Sequence, residues 1–407
     1  MENKLKKISV ISSDKILKSE KFNDFYFNSI NPTNECEYVF IYANNLIKKI
    51  KQNSNLVIGE LGFGIGLNFL MTIKSLEKIL VNNKNLHYIS FEGYPLENIQ
   101  LKKIYSSFKE LNVFSNILIK RLPIKMSGVH DIFFPEYNTT LTLVYDEFSS
   151  VKNFSFMVDA WYLDGFAPKK NSSAWTEEIL ENVYKKTKFG GTFSTFTSAT
   201  KVRKDLMKVG FDVLRKKGFS QKREMLLGSK RTNIKKFNTN LHHSNIEPVA
   251  IIGGGITGAS IAFALKKRNI ECFIVEKGQE LGNGASGNLV AFQIPKLTLD
   301  DSIYGIFSLR SYLYSRSLAF NLNSVPISNG VIIFPNRHRE NRKFEKLLNL
   351  KWPHELFCNY NTDEFQNFNN LHLFPNAGIV DTKTFLRNLS KSVKLINNFH
   401  VEKIDHL

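Results

Sequence analysis

The sequence lacks the features of a membrane or secreted protein. No run of about 18 or more apolar residues occurs in its 407 residues, so no segment is long enough to span a bilayer as a helix. The amino-terminal stretch MENKLKKISVISSDK has neither the apolar core nor the cleavage site of a signal peptide. The only cysteines, Cys36, Cys272 and Cys358, are too few and too far apart for a disulfide framework or a metal-ligand spacing. We therefore expect a cytoplasmic protein with reduced, packed cysteines and no metal.

Acidic residues are also scarce relative to basic ones. The chain has 55 Lys and Arg against 37 Asp and Glu, a net charge of +18. A composition biased towards Lys, Asn, Ile and Phe can produce such an excess without any ligand, so the total alone does not identify a partner. Between Lys201 and Lys236, however, 13 basic residues accompany only 3 acidic ones. A cluster of that size favours contact with nucleic-acid phosphates over a solvated helix face.

The amino-terminal half alternates between strand-like and helix-like segments. An apolar strand in LVIGELGFGIG (56–66) ends at Glu60, and three glycines then open a helix. This alternation predicts a doubly wound, mostly parallel α/β sheet. Further strands are expected at 86–92, 141–145, 157–164 and 191–197, with helices near 96–110, 175–188 and 199–208.

Acidic residues stand at the carboxyl ends of these predicted strands, where open α/β sheets bind ligands. Glycines allow close approach of a ligand to the backbone, and a carboxylate ending the second strand can accept both ribose hydroxyls. The acids would attract the sulfonium and ammonium of S-adenosylmethionine but repel a pyrophosphate. The predicted S-adenosylmethionine contacts are Glu60, Gly62, Gly64, Gly66, Glu92, Asp146 and Glu147.

A second nucleotide-binding pattern follows a polar, basic linker at 231–248. In VAIIGGGITGASIAFALKKRNIECFIVEK (249–277), Gly253, Gly255 and Gly258 form GxGxxG between an apolar strand and a helix. Glu276 ends the next strand, at the position that contacts a ribose in dinucleotide-binding folds. The acid disfavours NADP, and the pattern leaves NAD and FAD open.

The stretch WYLDGFAPKKNSSAW (161–175) places one acid, Asp164, among three aromatic residues. Buried carboxylates are costly unless they are paired or used, so Asp164 is a candidate catalytic or substrate-binding group; the alternative is a helix cap or a loop-fixing residue. Trp161, Phe166 and Trp175 could stack on a flipped-out base, although core packing is the commoner role for such residues.

Together with ELGFGIGLNF (60–69), FEGYPL (91–96) and KGFSQKREML (217–226), the DGFAP segment resembles the MnmC family of tRNA 5-methylaminomethyl-2-thiouridine biosynthesis enzymes. The resemblance implies an S-adenosylmethionine-dependent methyltransferase domain (1–230), the linker (231–248) and an FAD-dependent, glycine oxidase-like domain (249–407). It implies that the second domain removes a carboxymethyl group from the wobble uridine. The first domain would then methylate the exposed amine, with Asp164 as base.

Further site residues follow from the same resemblance. The segment GNGASGN (282–288) resembles the flavin-covering segment of amine oxidases, which favours FAD and adds Ala285 and Ser286 to the FAD contacts. KGFSQKREML is expected to be one antiparallel strand whose Lys217, Lys222 and Arg223 contact tRNA phosphates; a strand with internal salt bridges is the alternative.

The second domain has only 159 residues, roughly half of what related folds need, and the final VEKIDHL reads as a mid-domain strand. We therefore expect an incomplete or degenerate oxidase. Two other functions remain open: a small-molecule amine N-methyltransferase fused to an amine oxidase, and a non-catalytic RNA-binding module.

Overall fold

The computed structural model describes residues 10–404 except 14–15, 28–29, 83, 221, 232–246, 323, 325–327, 336, 363 and 365–370. The described residues fall into two compact units, 10–231 and 247–404. Most of the predicted linker lies outside the described residues.

The first unit contains eleven described strands and seven described α-helices. Its strands are β1 (Val10–Ser13), β2 (Ile16–Ser19), β3 (Asp24–Phe25), β4 (Asn55–Leu61), β5 (Asn85–Phe91), β6 (Gly128–Phe134), β7 (Thr139–Tyr145), β8 (Val158–Leu163), β9 (Thr187–Thr195), β10 (Phe211–Lys217) and β11 (Glu224–Lys230). Its helices are α1 (Pro32–Cys36), α2 (Leu46–Gln52), α3 (Leu67–Leu80), α4 (Asn98–Tyr105), α5 (Asn112–Arg121), α6 (Glu177–Lys185) and α7 (Thr200–Lys208), with a π-helical segment at Glu37–Tyr42.

The predicted doubly wound sheet is confirmed. Eight strands are arranged in the order β10-β11-β9-β8-β4-β5-β7-β6. The five central strands β9, β8, β4, β5 and β7 are parallel, and antiparallel pairs occur towards both edges. Because the parallel strands run in the same direction, the acids that follow them meet at one edge of the sheet.

Apolar side chains cover both faces of the central strands. Residues of α3 such as Phe69 and Leu70 are buried on one face, in a cluster that includes Tyr88 and Tyr162. Trp161 lies in a second cluster on the other face, with residues of α6 and α7. Burial on both sides explains why these strands read as near-continuous apolar runs.

Two predictions about this sheet are wrong in detail. The segment 217–226 is not one strand: β10 ends at Lys217, β11 begins at Glu224, and the two strands pair as an antiparallel hairpin. The last parallel strand begins at Thr187 rather than near 191, because Val158 pairs with Thr187 and an irregularity follows in the ladder.

A small antiparallel sheet of β1, β2 and β3 precedes the large one and was not predicted from the sequence. Its short strands carry no clear alternation, and Leu17 is the residue of β2 that enters the main core. The turn and segment that follow β2 lie at the carboxyl edge of the large sheet, where Asp24 Oδ2 accepts from the amide of Ala167 at 2.9 Å.

The second unit contains β12 (Val249–Ile252), β13 (Cys272–Val275), β14 (Val290–Gln293), β15 (Ser328–Ile333), β16 (Cys358–Tyr360), β17 (Leu371–Asp381) and β18 (Lys394–Ile396). Its helices are α8 (Ile256–Lys266), α9 (Ile303–Asn321), α10 (His338–Leu348) and α11 (Thr382–Leu389).

The strands of this unit form two sheets. Parallel strands β12, β13 and β18 lie in that order, and α8 packs on them as the βαβ prediction requires. A second, antiparallel sheet is built around β17, which pairs with β14, β15 and β16. The prediction of a strand at the final VEKIDHL is wrong for residues 401–404, which are irregular.

All three cysteines are free and buried, as predicted. Among the described helices, none combines the length and the apolar character that crossing a membrane requires.

Candidate functional site

A cavity of about 850 Å³ lies at the carboxyl edge of the large sheet in the first unit. Its walls come from the segment after β2, the glycine turn after β4, the loops after β5, β7 and β8, and the β10–β11 hairpin loop. Six acidic residues and several aromatic rings line the cavity. The acidic residues are Asp24, Glu35, Glu92, Glu147, Asp164 and Glu178.

The glycine turn after β4 is joined to the loop that carries Asp164. Gly62, Gly64 and Gly66 have φ values of +101°, +55° and +82°. A Cβ on Gly62 would lie 2.5 Å from the carbonyl oxygen of Asp164, and the Asp164 amide donates to Leu61 O at 3.0 Å. Glycine is therefore required at position 62, both by backbone conformation and by the close approach of the second loop.

Glu92 directly follows β5 and holds the glycine turn. Its Oε2 accepts a hydrogen bond from the amide of Gly64 at 2.8 Å, and its Oε1 accepts from Tyr94 N at 2.7 Å. The carboxylate lies in the cavity wall and retains acceptor capacity for a ligand hydroxyl. The ribose contact of Glu92 stays a prediction.

Glu60 lies behind the glycine turn rather than in the cavity wall, because it is the penultimate residue of β4 and its side chain is fully buried. Its oxygens accept from Asn68 Nδ2 at 3.0 Å and Ser90 Oγ at 2.7 Å. Burial raises the pKa of Glu60 to about 8, and Asp164 adds to the shift. Glu60 is thus joined to Asp164 through Asn68.

The two acids after β7 differ in position. Glu147 lines the cavity, whereas Asp146 is exposed outside its wall and accepts from the Glu147 amide at 2.8 Å. Of this pair, only Glu147 is placed to contact a ligand in the cavity.

Asp164 follows β8 and faces the cavity. Its Oδ2 accepts from Asn68 Nδ2 at 2.6 Å, so the same amide group joins Asp164 and Glu60. Burial raises the pKa of Asp164 to about 7; Asn68 opposes this shift, Glu35 increases it and Lys222 decreases it. An acid with a pKa near 7 in a ligand-sized cavity has the properties of a general base.

A charge pair that sequence reasoning did not find lies in the same wall. Lys222 Nζ, from the β10–β11 loop, contacts Glu35 Oε1 at 2.7 Å, and the ammonium lies 4.6 Å from the ring centroid of Phe196. Glu35 is 187 positions away in the chain, in α1. No local pattern reports a pair so distant in sequence.

The aromatic residues around Asp164 have different roles. Trp161 and Trp175 are buried in the core, which confirms packing for both. Phe166 lines the cavity and stacks on Phe22, with ring centroids 4.8 Å apart and an angle of 29°. Phe22 was missed; the aromatic run in FNDFYF (22–27) is the signal that could have revealed it.

The charge of the basic cluster between Lys201 and Lys236 is partly neutralised by ion pairs. Five of its residues, Lys201, Lys208, Arg215, Lys222 and Arg231, form ion pairs with carboxylates. Within the described part of the chain, Lys217 and Arg223 are exposed and form no ion pair. Of the three predicted RNA contacts, these two lie on the surface and Lys222 lies in the cavity wall.

The second unit has a separate candidate site at the start of α8. Gly253 has a φ of +100° and open space where a Cβ would stand. A Cβ on Gly258 would lie 2.0 Å from Gly253 O, so the helix packs directly on the turn. A Cβ on Gly255 would lie 3.3 Å from the Ser286 hydroxyl. The positive φ of Gly253 and the close packing at Gly258 are the geometry that a GxGxxG turn requires. The ligand contacts of the three glycines stay a prediction.

Glu276 closes this turn. It is buried, and its oxygens accept from the amides of Gly254 at 2.6 Å and Gly278 at 2.8 Å. Burial acts to raise the pKa of Glu276, but these amides outweigh it and the pKa is lowered. Ser286, in the short 3₁₀ turn Ala285–Gly287, accepts from the Ile256 amide at 3.0 Å at the start of α8.

Comparison with known protein families gives two matches, one in each unit of the chain. Residues 109–231 match an S-adenosyl-L-methionine-dependent methyltransferase family, and residues 248–406 match an FAD dependent oxidoreductase family. The cofactors that these families indicate are S-adenosylmethionine and FAD.

Two curated relatives are named tRNA 5-methylaminomethyl-2-thiouridine biosynthesis bifunctional protein MnmC. The protein from Marinomonas sp. is 34% identical over 353 residues, which cover 82% of this chain and 52% of the relative. The protein from Pseudoalteromonas translucida is 35% identical over 318 residues, covering 73% of this chain and 48% of the relative. The chain thus spans about half the length of the curated relatives it matches.

Among solved structures, MNMC2 from Aquifex aeolicus is similar with a TM-score of 0.46 and 22% identity. That match covers 55% of this chain and 71% of the other.

Proposed function

The chain belongs to the family of MnmC bifunctional proteins, and we propose that its first unit methylates a tRNA wobble uridine. The reaction is transfer of a methyl group from S-adenosylmethionine to the amine of 5-aminomethyl-2-thiouridine, giving 5-methylaminomethyl-2-thiouridine. The observation that carries the proposal is Asp164, an acid with a raised pKa beside a glycine turn in an acid-lined cavity.

The cavity fits S-adenosylmethionine by its donor and acceptor groups. Glu92 offers acceptors for ribose hydroxyls beside Gly64, and the glycine turn lets a ligand approach the backbone. Glu147 and Asp164 lie in the same wall and complement the positive charges of the ligand. When bound, S-adenosylmethionine supplies an electrophilic methyl group.

Asp164 prepares the amine for attack. An alkyl amine has a pKa of about 10 and therefore enters the cavity protonated. Asp164 orients the ammonium and accepts its proton, while the Asn68 amide fixes one carboxylate oxygen. The pKa of Asp164, about 7, is closer to that of the amine than the pKa of an ordinary aspartate is. Proton transfer from the ammonium to Asp164 is therefore less unfavourable.

The direct test is an assay of the purified chain with S-adenosylmethionine and tRNA that carries the aminomethyl group. Mass spectrometry of the digested nucleosides should show a gain of one methyl group at the wobble uridine. Wild-type protein that binds S-adenosylmethionine but yields no methylated nucleoside would overturn the proposal.

The pH profile should report the ionisation of Asp164. Because the base works only when it is deprotonated, kcat/KM should rise with pH through a midpoint near 7. Glu35→Gln removes a negative charge that raises the pKa of Asp164, so its midpoint should move to lower pH. Lys222→Gln removes a positive charge, so its midpoint should move to higher pH. Superimposable profiles for wild type and both variants would contradict the role of Asp164 as the titrating base.

Exposed basic residues at the β10–β11 hairpin support a tRNA-binding surface. If Lys217 and Arg223 contact phosphates, the double substitution to Ala should reduce the slope of log Kd against log salt by about 2. The control is the double substitution of Lys201 and Lys208 to Ala, which also removes two positive charges. In the folded protein these two lysines are paired with Asp205 and Glu177. Equal losses of slope in the two double variants would argue for a general charge effect instead of this surface.

We propose FAD as the ligand of the second unit, in a domain spanning 249–407 after a linker at 231–248 and a methyltransferase domain at 1–230. The open turn at Gly253 and the buried Glu276 fit a dinucleotide; Ala285 and Ser286 lie beside it. When bound, FAD supplies two-electron oxidation, which the bifunctional protein would use to remove the carboxymethyl group from 5-carboxymethylaminomethyl-2-thiouridine.

A further inference from the structure

Tyr26 lines the cavity, and among the described residues its hydroxyl group has no hydrogen-bond partner. Tyr26 Oη is buried and, among the residues that the structure describes, neither donates nor accepts a hydrogen bond. A buried hydroxyl without a partner costs free energy, and such groups are uncommon in native proteins. Because the Tyr26 side chain lines a ligand-sized cavity, a ligand bound there is the partner that this hydroxyl would need.

The ring of Tyr26 lies between the two loops that form the candidate active site. A Cβ on Gly64 would lie 3.3 Å from Tyr26 Cδ1, so the ring covers the middle of the glycine turn. On its other side, the ring meets Phe166 edge-to-face, with centroids 5.1 Å apart. Phe166 lies two residues after Asp164. Tyr26 thus contacts both the glycine turn and the loop that carries Asp164.

The hydroxyl is suited to donate. Burial raises the pKa of Tyr26 and the Glu92 carboxylate adds to this, so the phenol keeps its proton. The acidic side chains of the cavity offer only acceptors when ionised. A ligand that brings acceptor oxygens or nitrogens, such as ribose oxygens or an amino-acid carboxylate, therefore needs donors from elsewhere in the wall.

Resting on the proposed methyltransferase function, we propose that Tyr26 is a cofactor-binding residue whose hydroxyl donates a hydrogen bond to the S-adenosyl ligand. The bond is made to a part of the ligand that S-adenosylmethionine and S-adenosylhomocysteine share. The segment after β2 is thereby part of the cofactor site, although it lies outside the residues that match the methyltransferase family.

The test is titration calorimetry of the full chain with each of the two ligands. Tyr26→Phe keeps the ring and its contacts and removes only the hydroxyl. We expect the affinity for both ligands to fall by about 3–10-fold, the size of one neutral hydrogen bond. Unchanged affinity, or a loss confined to S-adenosylmethionine, would overturn the inference. Wild-type protein that binds neither ligand would instead overturn the proposed function.

Thermal unfolding separates a ligand contact from a structural role. Without ligand, Tyr26→Phe should unfold at or above the wild-type temperature, because no protein hydrogen bond is lost. Tyr162→Phe is the matched control: that hydroxyl is buried outside the cavity wall and pairs with Thr72 Oγ at 3.0 Å. It should unfold at a lower temperature and keep wild-type ligand affinity. A destabilised Tyr26→Phe would mean that the hydroxyl has a partner within the protein, which contradicts the inference.

Discussion

Replacing Asp164 by Asn should lower the methyl-transfer rate by about 10²–10⁴-fold, the range of a lost general base. Asparagine has the same shape and can still accept the hydrogen bond from Asn68 Nδ2, so the loop geometry should survive. What the substitution removes is the ability to take a proton from the ammonium. Single-turnover rates with saturating tRNA and S-adenosylmethionine give the comparison.

Stability measurements provide the control for Asp164→Asn. Because the pKa of Asp164 is raised in the folded protein, its contribution to stability is greatest at acidic pH and is lost as pH rises through about 7. The variant does not titrate. Relative to wild type, its unfolding temperature should therefore increase between pH 5 and pH 8. An inactive variant that is also much less stable at pH 8 would point to a structural role, and wild-type activity would exclude Asp164 as the base.

The raised pKa values illustrate a conflict between stability and function. Asp164 and Glu60 share the Asn68 amide, and burial raises the pKa of both. Among the described residues, basic side chains do little to lower these pKa values. Lys222 lies near Asp164, but its ammonium is paired with Glu35. An acid-rich cavity of this kind is destabilising when empty. The positive charges of S-adenosylmethionine and of the substrate ammonium would relieve it, which favours their binding.

The position of the site could be predicted from the sequence because parallel strands place their carboxyl ends together. Glu92, Glu147 and Asp164 follow β5, β7 and β8 and all line the cavity. The direction of each side chain could not be predicted in the same way. Glu60 was predicted to end its strand like the others, but it is the penultimate residue of β4, and its side chain points into a buried network.

The other wall of the cavity depends on contacts between distant segments. Phe22 and Tyr26 reach the site because residues 20–27 are attached to the loop after β8: Asp24 Oδ2 accepts from the Ala167 amide at 2.9 Å. Periodicity describes only local structure, so it predicts neither this contact nor the Lys222–Glu35 pair. Both contacts form only in the folded chain.

The glycine turn offers the second large prediction, since Gly62→Ala should disrupt the cofactor site and the base together. Alanine at a φ of +101° is strained, and its Cβ would stand 2.5 Å from Asp164 O. Because the neighbour is backbone, either the turn or the Asp164 loop must move. We expect a loss of roughly 2–4 kcal/mol in unfolding free energy. The shift should also lower kcat/KM by about 100-fold, since a displacement of about 1 Å can cost this much.

Gly64→Ala is the matched control for this prediction. Its φ of +55° lies in the left-handed region that other residues can adopt, and the nearest atom to its Cβ would be Tyr26 Cδ1 at 3.3 Å. This substitution should cost only about 1–2 kcal/mol. Denaturant unfolding gives the free energy of unfolding of both variants. The alanine at position 62 clashes with backbone, whereas the alanine at position 64 contacts a side-chain ring that can move. If the two alanines were equally destabilising, the close approach of Gly62 to Asp164 would not be what fixes the turn. If Gly62→Ala is the more damaging, as expected, the close approach of Gly62 to Asp164 O helps to hold the base and the cofactor turn in register.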